Sequence, residues 1–175
     1  FRLHPDFRLI GPEHPGGNAA ALGVITRQVA AGQSFAITAR PALRIDPLPD
    51  LAQDGPVLSC QTSGSTGQPK RILRAQGSWI DSFQANRLGF DLVPGDRYAI
   101  LGSLASSLCS YAAIEAMHVG AGMIDLCGAS PAQQLRGLRE AGASVLYCSP
   151  AQLRLLVAAA RGGAGHAGPA LRHLL

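Results

Sequence analysis

One ten-residue stretch concentrates the groups that could do chemistry: Gln61-Thr62-Ser63-Gly64-Ser65-Thr66-Gly67-Gln68-Pro69-Lys70. From Thr62 to Gly67 it offers four hydroxyls and two glycines. Glycines admit positive φ and let the backbone come close to a ligand, so successive N–H groups can converge on an anion. Hydroxyls donate to phosphate oxygens, and a lysine adds a mobile point charge. Lys70 is the only lysine among 15 basic residues. The chemistry such a loop suits is the cradling of phosphate. Neither G-x-x-x-x-G-K-[ST] nor G-x-G-x-x-G occurs, so the two common phosphate loops are excluded. The competing reading is a flexible Ser/Gly linker. Apolar runs abut the stretch directly and Pro69 fixes one end, which weighs against a linker.

The elements around the loop must hold it. Val57 to Thr62 reads as a buried strand and Arg71 to Arg74 as a second, joined in a hairpin-like connection. A ligand loop at the carboxyl end of a strand is where α/β sheets place their sites. Upstream, residues 1–16 read as an irregular arm. Asn18 caps a helix over about 19–31, with Leu22, Ile25 and Val29 on one face and Gly32 at its end. Ser34 to Ala39 reads as a strand and residues 41–55 as a surface connection.

Downstream, Ser78 caps a helix of about 79–89 carrying Trp79, Phe83 and Leu88. Strands and helices then alternate: strand Tyr98 to Gly102, helix Ser107 to Val119, strand Met123 to Cys127, and strand Ser144 to Cys148. Ser130-Pro131 and Ser149-Pro150 each open a helix by capping followed by proline in the first turn. Residues 162–169 read as a mobile loop, and Ala170 to Leu175 begins a further strand. The expected fold is therefore α/β, a mostly parallel sheet with helices on both faces. Residues 1–56 form an N-terminal arm, helix and short strand, and 57–175 an α/β subdomain carrying the loop.

The 175 residues are 47% hydrophobic and 15% charged, which excludes a charge-rich disordered chain. Net charge is +4, but the arginines are scattered and aromatics are few, so nucleic acid is not an expected partner. No apolar stretch is long enough for a membrane span. Cys60, Cys109, Cys127 and Cys148 lack C-x-x-C spacing and lie in apolar runs, so buried reduced thiols and a cytoplasmic setting are expected. No metal-ligand constellation stands out. His166 and His173 have no partner at ligand spacing, and Glu115 with His118 reads as a satisfied surface pair.

Thr62 to Lys70 resembles the signature loop of the adenylate-forming superfamily, which includes acyl-CoA synthetases, adenylation domains of nonribosomal peptide synthetases and firefly luciferase. The resemblance continues through Val93-Pro94-Gly95-Asp96-Arg97, the helix through Tyr111, Gly120-Ala121-Gly122 and Ser149-Pro150, so it covers about 57–175. It implies a two-step ligase. A carboxylic acid attacks ATP to give an acyl-adenylate, and a thiol, commonly of coenzyme A, takes the acyl group. It implies ATP with Mg2+ as cofactors and a small carboxylic acid as substrate. Thr62, Ser63, Ser65, Thr66 and Lys70 then hold the β- and γ-phosphates, Gly64 and Gly67 shape the loop, and Thr66 and Lys70 are the catalytic pair.

Two departures from the family stand out. Arg71 replaces the usual glycine after the loop lysine; it is an extra cation for phosphate or an acidic acyl group, or a solvent-facing strand residue. Ser106 occupies the place where relatives carry a His or aromatic residue beside the acyl pocket. The later adenine, ribose and C-terminal lysine motifs of the family do not occur. The expectation is an early part of an N-terminal domain, inactive alone. The alternative is a noncatalytic α/β domain that keeps the loop for anion or nucleotide binding.

Overall fold

The computed structural model describes residues 1–10, 18–39, 42–50, 55–62 and 70–175. In chain order the elements are β1 (Arg8–Ile10), α1 (Ala19–Ala30), β2 (Phe35–Thr38), β3 (Arg44–Pro47), β4 (Val57–Thr62) and β5 (Lys70–Ala75). They continue with α2 (Gln76–Gly89), β6 (Arg97–Ile100), α3 (Ser107–Val119), β7 (Gly122–Asp125) and α4 (Pro131–Glu140). The chain closes with β8 (Val145–Tyr147), α5 (Pro150–Ala159), a π-helical turn (Ala160–Ala164) and β9 (His173–Leu174).

The strands form two sheets. One has five strands in the order β1-β7-β6-β8-β9, every pair parallel. The other has four strands in the order β3-β2-β4-β5, with β2 and β4 parallel and the two outer pairs antiparallel. Period-2 alternation divides the five-stranded sheet's side chains between two cores. Tyr98, Ile100, Met123, Val145 and Tyr147 face α1, α2, α3 and the four-stranded sheet. Ala99, Ile124 and Leu146 face Leu135 and Leu138 of α4 and Leu156 of α5. This sheet is thus covered on both sides, which is why its strands are apolar throughout.

Helix α3 lies between the sheets, in contact with β4 as well as β6, β7 and β8. Cys109, Ala112, Ala113, Ile114, Glu115, Ala116 and Met117 are all buried, so the helix is enclosed almost all round. It ends at Gly120 in the left-handed conformation (φ 88°), whose N–H bonds to the Ala116 carbonyl. Helices α4 and α5 begin as expected, with capping boxes Ser130/Gln133 and Ser149/Gln152 and proline in the first turn.

Several expectations are corrected. The arm of residues 1–16 contains β1, parallel to β7, with Ile10 lying against Gly122 where a Cβ would come within 2.3 Å of it. The connection 41–55 contains β3, an edge strand whose Pro47 costs the sheet no needed donor. Helix α2 starts at Gln76 rather than after Ser78; of the three apolar residues it carries, Trp79 and Phe83 are buried and Leu88 is 81% exposed. The segment 162–169 is not a free loop: the π-helical turn enters it, and Ala164 and Ala167 pack against the second core.

Candidate functional site

The candidate site forms where β4 and β5 meet the start of α3. Strand β4 runs apolar into the molecule, with Val57, Leu58 and Cys60 buried, and turns polar at Gln61 and Thr62. The β4–β5 hairpin is in register through the pair Thr62–Lys70, so these two residues close the stem on which the loop stands. Ser63, Gly64, Ser65, Thr66 and Gly67 lie outside the described residues. Lys70 is exposed at the first position of β5. A parallel bridge joins Gln61 to Ser106, which is the N-cap residue of α3 in extended conformation and is exposed. The backbone therefore brings the stem of the loop and Ser106 together, although 44 positions separate Thr62 from Ser106 in the sequence.

Arg71 has a structural partner. Its Nε donates to Ser59 Oγ at 2.7 Å, and Ser59 is buried two residues further from the loop than Gln61. The guanidinium is thus tied toward the stem of the hairpin rather than its tip.

The segment leading to Ser106 is anchored by a residue to which the sequence pointed for another reason. Asn18 occupies the N-cap position of α1, but its side chain makes no capping bond. It is 1% exposed and ties three segments together. Nδ2 donates to Asp125 Oδ1 at 2.8 Å and to the Gly102 carbonyl at 3.0 Å, and Oδ1 accepts from Leu104 N–H at 2.9 Å. Asn18 N–H donates to Asp125 Oδ2 at 2.9 Å, and Cys127 N–H to Asp125 Oδ1 at 3.0 Å. Asp125 ends β7, so Asn18 links the carboxyl ends of β6 and β7 and fixes the backbone that delivers Ser106. No spacing rule finds this pair, because its members lie 107 residues apart.

The Glu115–His118 expectation is overturned. Glu115 is fully buried and turned away from solvent, because α3 is enclosed by both sheets. It accepts from the Tyr147 hydroxyl and from Asn86 Nδ2 at 2.9 Å; Asn86 also donates to Tyr111 Oη at 3.1 Å. Burial pushes the Glu115 carboxyl above its ordinary value, with the bonds from Tyr147 and Asn86 opposing. Tyr147 and Tyr111 are pushed up by burial and by this carboxylate. The network lies in the core, away from the loop stem, and is structural. His118 instead lies against Phe83 in a tilted ring contact, at a centroid distance of 5.7 Å and an interplanar angle of 44°.

Among the described residues no group of three His, Cys, Asp or Glu gathers to hold a metal. His166 Nδ1 accepts from Gly168 N–H at 3.1 Å, and His173 packs on Phe90. All four cysteines are unpaired; Cys60 and Cys109 are buried, Cys127 and Cys148 half-buried. Burial raises all four thiols, so none is activated as a nucleophile. No helix among the described residues is long and apolar enough to cross a membrane.

Comparison with known proteins gives the same architecture. Residues 16–175 match the family model described as AMP-binding enzyme. The uncharacterized acyl-CoA ligase YhfT of Bacillus subtilis (strain 168) is 36% identical over 105 residues, 60% of this chain and 22% of that protein. The chain thus spans about a fifth of that curated relative's length. The structure of VinN with L-aspartate superposes with a TM-score of 0.57 at 19% identity, over 90% of this chain and 36% of that one. O-succinylbenzoate CoA synthetase (MenE) from Bacillus subtilis, in complex with ATP and magnesium ion, gives 0.52 at 20% identity, over 58% and 21%. At these identities the two structures show a shared fold.

Proposed function

The chain belongs to the AMP-binding enzyme family, and on that premise we propose that it supplies the phosphate-holding part of an ATP-dependent carboxylic acid ligase. A carboxylate oxygen attacks the α-phosphate of ATP, and the α–β phosphoanhydride bond breaks to release pyrophosphate. A thiol, of coenzyme A or another carrier, then attacks the acyl carbon and releases AMP. The observation that carries this reading is the junction at the loop stem. The Thr62–Lys70 pair closes the hairpin and the Gln61–Ser106 bridge sets the start of α3 beside it, so one strand end serves both a phosphate loop and a carboxylate pocket.

In this reading Thr62, Ser63, Ser65, Thr66 and Lys70 hold the β- and γ-phosphates, and Gly64 and Gly67 shape the loop. A donor set of hydroxyls, backbone N–H groups and one ammonium suits polyphosphate. Magnesium bound with the nucleotide would spread the negative charge that develops on the leaving pyrophosphate. Thr66 and Lys70 act on that same charge. Ser106 borders the acyl end, where its small hydroxyl leaves more room than a His or an aromatic ring. Residues 57–175 are the subdomain carrying the loop, and 1–56 the arm, helix and strand ahead of it. The rest of the N-terminal domain and a C-terminal domain with its own lysine complete the enzyme. Four unpaired thiols suit a reducing compartment, and we place the protein in the cytoplasm.

The test is single-turnover acyl-adenylate formation in the full-length protein with Thr66→Ala and Lys70→Ala. Interactions stronger in the transition state than in the ground state lower the rate when removed. Each variant should form adenylate on the order of a hundredfold more slowly. Each should pass a preformed acyl-adenylate to thiol at close to the wild-type rate. Wild-type adenylation by both variants would remove the loop residues from the reaction, and no adenylate from the wild-type protein itself would favour a noncatalytic domain that keeps the loop for anion or nucleotide binding or only for its fold.

A further inference from the structure

The far end of α3 carries a second cluster of cationic and donor groups. His4, Phe83, Gln84, Arg87, Pro94, His118 and Val119 line a partly open cavity of about 180 Å³. It lies at the amino ends of the parallel strands: Pro94 precedes β6, and His118 and Val119 close α3 ahead of β7. Ser106 is twelve residues away at the opposite end of the same helix, about 18 Å at the α-helical rise. The cavity is therefore separate from the loop stem.

Its parts are held in place. His4 N–H donates to the Met117 carbonyl at 2.9 Å, which ties the arm to α3. The His4 ring occupies the space beside Gly120, where a Cβ would come within 2.3 Å of Nδ1; only glycine leaves that seat open. Asp6 N–H donates to His4 Nδ1 at 3.2 Å, so in the neutral ring the proton sits on Nε2. The Asp6 carboxylate, 61% exposed, stands 3.7 Å from the same Nδ1. No carboxylate lines the cavity itself. His118 lies in a tilted contact against Phe83, and its buried Nδ1 has no hydrogen-bond partner among the described residues. Arg87 is exposed and forms no ion pair among them. Burial, and then the positive charges of His4, Arg2 and Arg87, hold the His118 imidazole below its ordinary value. An anion seated here would relieve that mutual repulsion.

We propose that this cavity binds a phosphoryl anion, inorganic phosphate or the phosphate of a small phosphorylated metabolite, with Arg87, Gln84 and the imidazoles of His4 and His118 as its donors. Phe83, Pro94 and Val119 form an apolar wall that lowers the local dielectric and strengthens each charge-assisted bond. The inference stands whether or not the loop binds ATP.

The experiment follows the imidazole signals of His4 and His118 by NMR in this chain, at fixed pH and ionic strength, as inorganic phosphate is added. Saturable shifts of both are expected. They should persist in Lys70→Ala, which removes a loop contribution, and the midpoint should rise about tenfold in Arg87→Gln, the loss of one charge-assisted bond. His4→Asn should weaken binding in the same direction. Glycerol 3-phosphate in a parallel titration separates the two sources: a tighter midpoint indicates a phosphorylated metabolite, an equal or weaker one inorganic phosphate. Shifts no larger than with sodium chloride, a midpoint unchanged by Arg87→Gln, or loss of the effect in Lys70→Ala would overturn the proposal. Arg87 is exposed, so unchanged backbone amide spectra will certify the fold of that variant.

Discussion

At the scale of single residues, the hydroxyl-and-glycine loop and its lysine stand out in the sequence because their chemistry is local, and their role rests on the proposed function. Asn18 was only half legible. Its place at the start of α1 followed from residue type, but its partners lie on β7 and on the segment after β6. Removing its side chain would leave the buried Leu104 N–H, the Gly102 carbonyl and one Asp125 oxygen short of a partner. Asn18→Ala should therefore cost about 1–3 kcal/mol of stability by urea unfolding. In the full-length enzyme it should also raise KM for the acid more than it lowers kcat, because the segment delivering Ser106 loosens. Asn18→Asp keeps one acceptor and should restore only part of this. Ser106 belongs to the same scale. Ser106→His should reorder preference across a panel of carboxylic acids, by about 1–3 kcal/mol per methylene-sized change in pocket volume. An unchanged ranking would place Ser106 outside the pocket.

At the scale of elements, patterning located the helices and the central strands, and failed at the edges. Strand β1 has only three residues, and β3 ends in Asp46-Pro47, so neither carries a period to read. Both are recruited by an existing neighbour, β7 or β2. The apolar character of α3 was visible, but not the second sheet that buries its Glu115. Two buried acids give opposite pH signatures. Asp96 is opposed by burial, yet bonds from Val93 N–H, Ser144 Oγ and Arg172 outweigh it and hold the carboxyl below its ordinary 3.8. It binds its proton more weakly folded than unfolded, so its contribution is full above pH 3.8 and is lost as pH falls through the folded value. Glu115 has a raised value, so its contribution is full below 4.5 and declines as pH rises through the folded value. Unfolding midpoints across pH should show Asp96→Asn losing acid sensitivity and on the order of 2 kcal/mol at neutral pH. Glu115→Gln should flatten the decline above pH 4.5.

At the scale of the whole molecule, alternating strands and helices foretold an α/β architecture, yet the division into two sheets was not legible. Strand β4 reads the same whether it joins β6 or β2, and its assignment depends on α3 lying between them. That division matters for function: the loop stem belongs to the four-stranded sheet, while Ser106 is delivered from the five-stranded one across the Gln61 bridge. The central claim is that this junction activates carboxylates with ATP. The direct measurement is carboxylate-dependent exchange of labelled pyrophosphate into ATP, run on the full-length protein, its Lys70→Ala variant and the 175-residue chain alone. The account predicts exchange by the full-length protein that depends on an added acid, a rate on the order of a hundredfold lower in Lys70→Ala, and none from the chain alone. Acid-dependent exchange at the wild-type rate in Lys70→Ala, or no exchange with any carboxylate in a broad panel, would contradict it.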